Sequence, residues 1–143
     1  MSKLSKMLKR HEGIETHAYV DSVGKVTIGV GRNIDAKGGI GLSEEEIDFM
    51  LGNDIDRVED ELAANFSWFV DLTAAQYDAM VNICFNLGLP RLLKFEKALA
   101  AMQAGDYATA ADEFLDSRWA KQVGQRAIEL TDMIETGEYS YDY

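Results

Sequence analysis

Proline occurs once, cysteine once and histidine twice among the 143 residues. A single thiol excludes an intrachain disulfide and fits synthesis in a reducing compartment. With only His11 and His17 beside Cys84, no zinc-type Cys/His spacing exists. Cys84 falls on an apolar helical stripe, where core packing is its expected role. The glycine-containing run Lys37–Gly41 lacks the Lys-Ser/Thr ending of a phosphate-binding loop. No apolar run approaches the length of a membrane span. The first ten residues, MSKLSKMLKR, hold four bases and no apolar core of the kind a secretory leader needs. Low-complexity tracts and internal repeats are absent.

Positive charge is also scarce. Fourteen Lys and Arg face twenty-five Asp and Glu, a net charge of −11. Residues 44–61 hold nine acids against Arg57 alone, whereas residues 1–10 carry +4. The acidic stretch reads as a solvated helix face. Such a field opposes nucleic acid and other polyanions, and its self-repulsion is best tolerated where salt screens it. The length and ordinary composition predict one domain, able to fold without staples.

Apolar periodicity divides the chain into a short β region and a helical remainder. Leu4, Met7 and Leu8 predict a helix over 2–11, stopped by Gly13 in a left-handed cap. From His17 to Asn33 the β-formers Ala18-Tyr19-Val20, Val26-Thr27-Ile28 and Val30 alternate with turn residues, which predicts an antiparallel hairpin or three-stranded sheet. Ser43 with Glu46 forms a capping box that opens a helix. Asn53-Asp54 predicts a break or kink in it before Ile55, Val58 and Leu62. Thr73 opens the most apolar helix, through Tyr77, Met80, Val81, Cys84 and Phe85, ended by Gly88 and Pro90. Further helices are expected across Leu92–Met102, Tyr107–Phe114 and Ala127–Ile134, whereas the tail after Gly137 has no period. The fold class is therefore α+β, mainly helical, with a small antiparallel β lobe and a larger helical lobe. The cleft between them is the natural place for a site.

Glu12 and Asp21 are the chemically informative pair. Glycoside hydrolysis needs one carboxyl that keeps its proton for the leaving oxygen and another, ionised, that handles water or attacks. Glu12, at a helix end beside Leu8 and Ile14, is better placed to hold a proton. Asp21, in a polar turn, is better placed to stay charged. Thr27 returns towards them and could hold a water. The same spacing also reads as a capping carboxylate and a turn residue. A second pattern, Asn33 to Glu44, mimics a calcium loop, with Asn33, Asp35, Gly38, Ile40 and Glu44 at matching positions. Lys37 at a ligand position and the strand-like residues before Asn33 count against it. Arg32, Arg118 and Arg126 stand out in an acidic chain, each as a surface ion pair or as a partner for a cleft carboxylate.

Glu12-Gly13, Tyr19-x-Asp21, Gly24 and Thr27-Ile-Gly-Val-Gly31 together resemble the catalytic segment of the phage-type lysozymes, the endolysins of glycoside hydrolase family 24. The resemblance continues in order through Asn82, Phe85-Asn86-Leu-Gly88, Ser117-Arg118-Trp119, Arg126-Ala127 and Thr136-Gly137. It implies one lysozyme domain over 1–143, with a β-bearing lobe at about 13–52 and a helical lobe from 1–12 and 53–143. It implies a muramidase that cleaves the β-1,4 bond between N-acetylmuramic acid and N-acetylglucosamine in peptidoglycan, with inversion and without cofactor or metal. Glu12 is then the general acid, while Asp21 and Thr27 manage the water. Arg126 pairs with the catalytic Glu, and Asn33, Phe85 and Asn86 contact sugar. Inversion implies carboxyls roughly 6.5–9.5 Å apart. Such enzymes act as monomers, wait in the host cytoplasm and reach the wall through a separate membrane-permeabilising protein, a holin. A virion-borne wall hydrolase or an inactive wall-binding relative are the alternatives. Two departures stand out. The charge of −11 forfeits attraction to an anionic wall, and Arg32 replaces a histidine common in relatives, with Asp54 as its expected ion-pair partner.

Overall fold

The computed structural model describes residues 1–143. Ser2 accepts the backbone N–H of Ser5 at 3.0 Å and opens helix α1, Lys3–Glu12. Gly13, at φ 79°, returns its N–H to the Lys9 carbonyl and turns the chain out of the helix. Three strands follow, β1 (Glu15–Val20), β2 (Val26–Gly29) and β3 (Arg32–Asn33). They form one antiparallel sheet in the order β1-β2-β3. Thr27 stands opposite Tyr19 on one side and Asn33 on the other. The sheet and the mostly helical remainder are the expected α+β class.

Helix α2 runs without interruption from Glu44 to Asn65. Its start is the expected capping box: the Ser43 hydroxyl accepts the Glu46 N–H, and Glu46 Oε1 accepts the Ser43 N–H. The expected break at Asn53-Asp54 does not occur. Asp54 instead takes a hydrogen bond from Arg57 one turn on, at 3.0 Å. A side chain engaged along the helix surface no longer competes for the backbone.

After a 3-10 turn at Phe69–Asp71, the helices are α3 (Ala74–Leu87), α4 (Leu89–Leu92), α5 (Glu96–Ala104), α6 (Tyr107–Leu115), α7 (Arg118–Val123) and α8 (Gln125–Thr136). A reciprocal Thr73–Gln76 box opens α3. The same two side chains reach the end of α8: the Gln76 amide donates to the Ile134 carbonyl at 3.0 Å, and the Thr73 hydroxyl to that of Gly137 at 2.9 Å. The helix expected across Leu92–Met102 is two helices, because Phe95 adopts φ −81°, ψ 57° between them. Helix α7, capped by Ser117, has too few apolar positions to announce itself by period.

By internal packing the chain divides into two compact units, Met1–Met50 and Leu51–Tyr143. Residues 1–12, assigned above to the helical lobe, group with the first unit. The apolar core belongs to the second. Phe69, Phe114, Leu62, Met80 and Leu92 are fully buried there, and Phe114 packs between Phe95 and Trp119. Each such side chain contributes roughly 1.5–3 kcal/mol through removal from water. In the first unit Thr27 is the one buried residue.

Candidate active site

Glu12 is the last residue of α1, after the bases Lys9, Arg10 and His11 of the final turn. Its side chain is exposed, and so are Leu8 and Ile14. The apolar surroundings expected for it from the sequence are therefore not formed by those neighbours. Its carboxylate lies against the β2–β3 turn. A Cβ placed on Gly31 would stand 3.2 Å from Glu12 Oε2.

Asp21 closes the β1–β2 turn. Its Oδ1 accepts the N–H of Val23 at 3.0 Å and of Lys25 at 2.8 Å, while its backbone N–H donates to the Lys25 carbonyl. Its Oδ2 makes no hydrogen bond within the chain, so one carboxylate oxygen shapes the turn and the other is available. Thr27, 3% exposed, donates its hydroxyl proton to the Lys25 carbonyl at 3.0 Å. Its oxygen therefore keeps acceptor capacity for a further donor.

Asn33 pairs with Thr27 across the sheet. Its Oδ1 accepts the Asp35 N–H at 3.0 Å, and its carbonyl accepts from Ile40 and Gly41. The carboxylate of Asp35 accepts from Val26 and Lys37, and these amides hold it below its ordinary range, Val26 first. The segment read as a possible calcium loop is thus preceded by strand β3 rather than a helix, and its leading oxygens serve its own backbone.

Arg32 pairs with Glu46 at 2.8 Å and donates to the Gly41 carbonyl at 3.0 Å. The expected partner, Asp54, is instead bonded to Arg57. The correction has a simple cause. The N-terminal turn of α2 presents Glu46 beside the Ser43 cap, and the 33–43 loop returns to β3 there. Arg32, followed by Ser43, holds the Glu46 carboxyl well down, to about 2. A carboxyl lowered in the fold contributes stability above its ordinary value of 4.5, and that contribution is lost as pH falls through about 2. Both side chains are substantially exposed, so the energy involved is small. Replacing Arg32 with Met is expected to raise the Glu46 midpoint from about 2 towards 4.5 in a carbon-detected NMR titration, with the Ser43 hydrogen bonds still holding it below that value. A midpoint still near 2 would remove Arg32 as the principal cause.

The remaining predicted residues lie in the second unit. Phe85 is 45% exposed and, with Leu51, Ile55, Asn82 and Arg126, lines a cavity of about 460 Å³. Arg126 donates through Nε and Nη2 to Asn82 Oδ1, at 3.1 and 2.6 Å. Asn86 is engaged elsewhere, its Oδ1 accepting the Trp119 indole N–H at 2.7 Å. Cys84 is buried, and burial, with Glu61 adding less, pushes its thiol up to about 11. That suits a core residue, not a nucleophile.

Sequence reasoning did not single out Asn82 as the partner of Arg126, although it lies one helical turn before Phe85 and Asn86. It also passed over the tail. Tyr139 donates to Asp78 and Tyr143 to Glu129, and with Tyr141 they border a cavity of about 520 Å³. The alternating tyrosines of EYSYDY were the available signal.

Comparison with known proteins follows the same stretch of chain. Residues 9–132 match the phage lysozyme family. An endolysin of Acyrthosiphon pisum secondary endosymbiont phage 1 is 32% identical over 120 residues, covering 84% of this chain and 80% of its own. An endolysin of Salmonella phage P22 is 34% identical over 113 residues, covering 76% and 75%. The pre-baseplate central spike protein Gp5 of Enterobacteria phage T4 is 27% identical over 161 residues, which is 94% of this chain and 28% of that protein. The chain belongs to the phage lysozyme family.

Proposed function

We infer that this protein hydrolyses bacterial peptidoglycan at the β-1,4 bond between N-acetylmuramic acid and N-acetylglucosamine, with inversion. The observation that supports the reading most is the division of labour at Asp21 and Thr27. One Asp21 oxygen builds the turn while the other has no partner. The Thr27 hydroxyl already donates its hydrogen bond to the Lys25 carbonyl. A water donating one hydrogen to each oxygen would be oriented by Thr27 and deprotonated by Asp21. Glu12 gives its proton to the leaving oxygen on the other face of the sugar. This chemistry needs only two carboxyls and water. Phe85 supplies an apolar surface for a sugar ring. Asn33 and Asn86 act near the sugar through their side-chain amide nitrogens, since each Oδ1 is already engaged. Arg126 is held by Asn82 beside Phe85 and contributes positive charge to that cavity.

The biological setting inferred is lysis of an infected bacterium by a monomeric enzyme. It is made in the cytoplasm and admitted to the wall by a separate membrane-permeabilising protein. No helix is long and apolar enough to cross a membrane. The likeness to a phage central spike protein favours a second setting, a wall hydrolase carried on the virion. The chemical reading is tested on purified peptidoglycan. Digestion is expected to yield reducing N-acetylmuramic acid ends by mass spectrometry, with the α-anomer appearing first by proton NMR. Anhydro-sugar ends would show a lytic transglycosylase instead.

A further inference from the structure

The geometry points to Gly31 as a positioning residue whose bare Cα sets where the Glu12 carboxylate stands. This inference rests on Glu12 being the general acid. The β2–β3 turn is short: Ile28 stands opposite Arg32, leaving Gly29, Val30 and Gly31 to reverse the chain. Gly29 and Gly31 both hold positive φ, 71° and 68°, so the turn demands glycine at each for the same backbone reason. Their surroundings differ. A Cβ on Gly29 would meet nothing within 4 Å, whereas a Cβ on Gly31 would stand 3.2 Å from Glu12 Oε2, 3.6 Å from its Cδ and 3.8 Å from its Cγ. All three atoms belong to the carboxyl end of Glu12.

The turn is the firmer partner of the two. Ladder pairing holds one side, and the next residue, Arg32, is tied to Gly41 and Glu46. Glu12 is the exposed end of a flexible chain at a helix terminus. A methyl group at position 31 would therefore strain the backbone as one at position 29 would and, in addition, push the carboxylate aside by a few tenths of an ångström. Proton transfer to a glycosidic oxygen depends on that position, and misplacing a catalytic group by about 1 Å can cost on the order of 10²-fold.

Gly29 provides the matched control, because alanine there carries the same backbone strain without the contact. Gly31→Ala is expected to lower kcat for wall hydrolysis about 10-fold or more with KM nearly unchanged. Gly29→Ala should show a similar fall in Tm and activity within about 2-fold of wild type. Should the alanine variant at 31 not fold, Gly31→Asn serves, since asparagine tolerates positive φ. Glu12→Gln and the double variant Glu12→Gln/Gly31→Ala complete a cycle. If Gly31 acts through the Glu12 carboxyl, the double variant is no slower than Glu12→Gln alone. Equal kcat losses at the two glycines, or losses that multiply in the double variant, would overturn the positioning role and leave the acid assignment standing. A fully active Glu12→Gln protein would instead overturn the acid assignment itself.

Discussion

Replacing Glu12 with Gln is expected to slow the clearing of bacterial walls by about 10²–10⁴-fold, the usual consequence of removing an acid–base group. Gln keeps the size and shape of the side chain but has no acidic proton to deliver to the leaving oxygen. The substitution is structurally mild. Glu12 is exposed at the end of α1 and takes part in no hydrogen bond or ion pair that holds the helix, whose last turn is closed by Gly13 and Lys9. Contact with Gly31 depends on side-chain volume, which the amide retains. Activity and stability should therefore separate, with the circular dichroism spectrum and Tm staying near wild type while turbidity clearing collapses. Equal clearing by both proteins would show that the proton comes from elsewhere and would reduce Glu12 to the helix-end carboxylate its spacing also allows.

Asp21→Asn is expected to cost about 10²-fold or more in kcat, and it separates two roles in one side chain. The Val23 and Lys25 amides both donate to Oδ1. Asparagine offers the same carbonyl oxygen to both, so the β1–β2 turn should survive. What disappears is the second carboxylate oxygen, the one proposed to take a proton from water. Asp21→Ala removes both functions and is expected to lose stability in addition, because two turn amides then need other partners. The comparison reads out as kcat loss without a Tm change in Asn, and with one in Ala. An Asn variant that works at the wild-type rate would leave Asp21 as a turn residue only.

Local chemistry was legible in the chain itself. The capping box at Ser43, the helix start at Thr73, the glycine stop at Gly13 and the alternation through β1–β3 depend on residues within a few positions of one another. Each appears where its residues predict. Cys84 as a core residue followed from its stripe. Failures of the local reading came where a side chain found a partner. Asn53-Asp54 predicts a break or kink, and Asp54 a bond to Arg32, but Asp54 bonds Arg57 along its own helix and α2 continues through it. Phe95 looked like one more apolar position in a single helix, yet the chain bends there, with its ring against Phe114.

The candidate site divides along the same line. Sequence alone determined the chemical inventory: two carboxyls, a hydroxyl on a returning strand, and glycines where the hairpin must turn. Those are properties of residue type and short-range spacing, which steric and hydrogen-bonding rules translate directly into turns and strands. Tertiary structure alone decided which groups are spent and which are free. Asn33 and Asn86 each commit an oxygen to an internal donor, Asn82 captures an arginine 44 positions away, and Asp21 keeps one oxygen unpartnered. Gly31 meets Glu12 only because a helix end and a turn nineteen residues apart are folded together. Partner choice of this kind depends on the geometry of elements distant in sequence, and no local propensity encodes it.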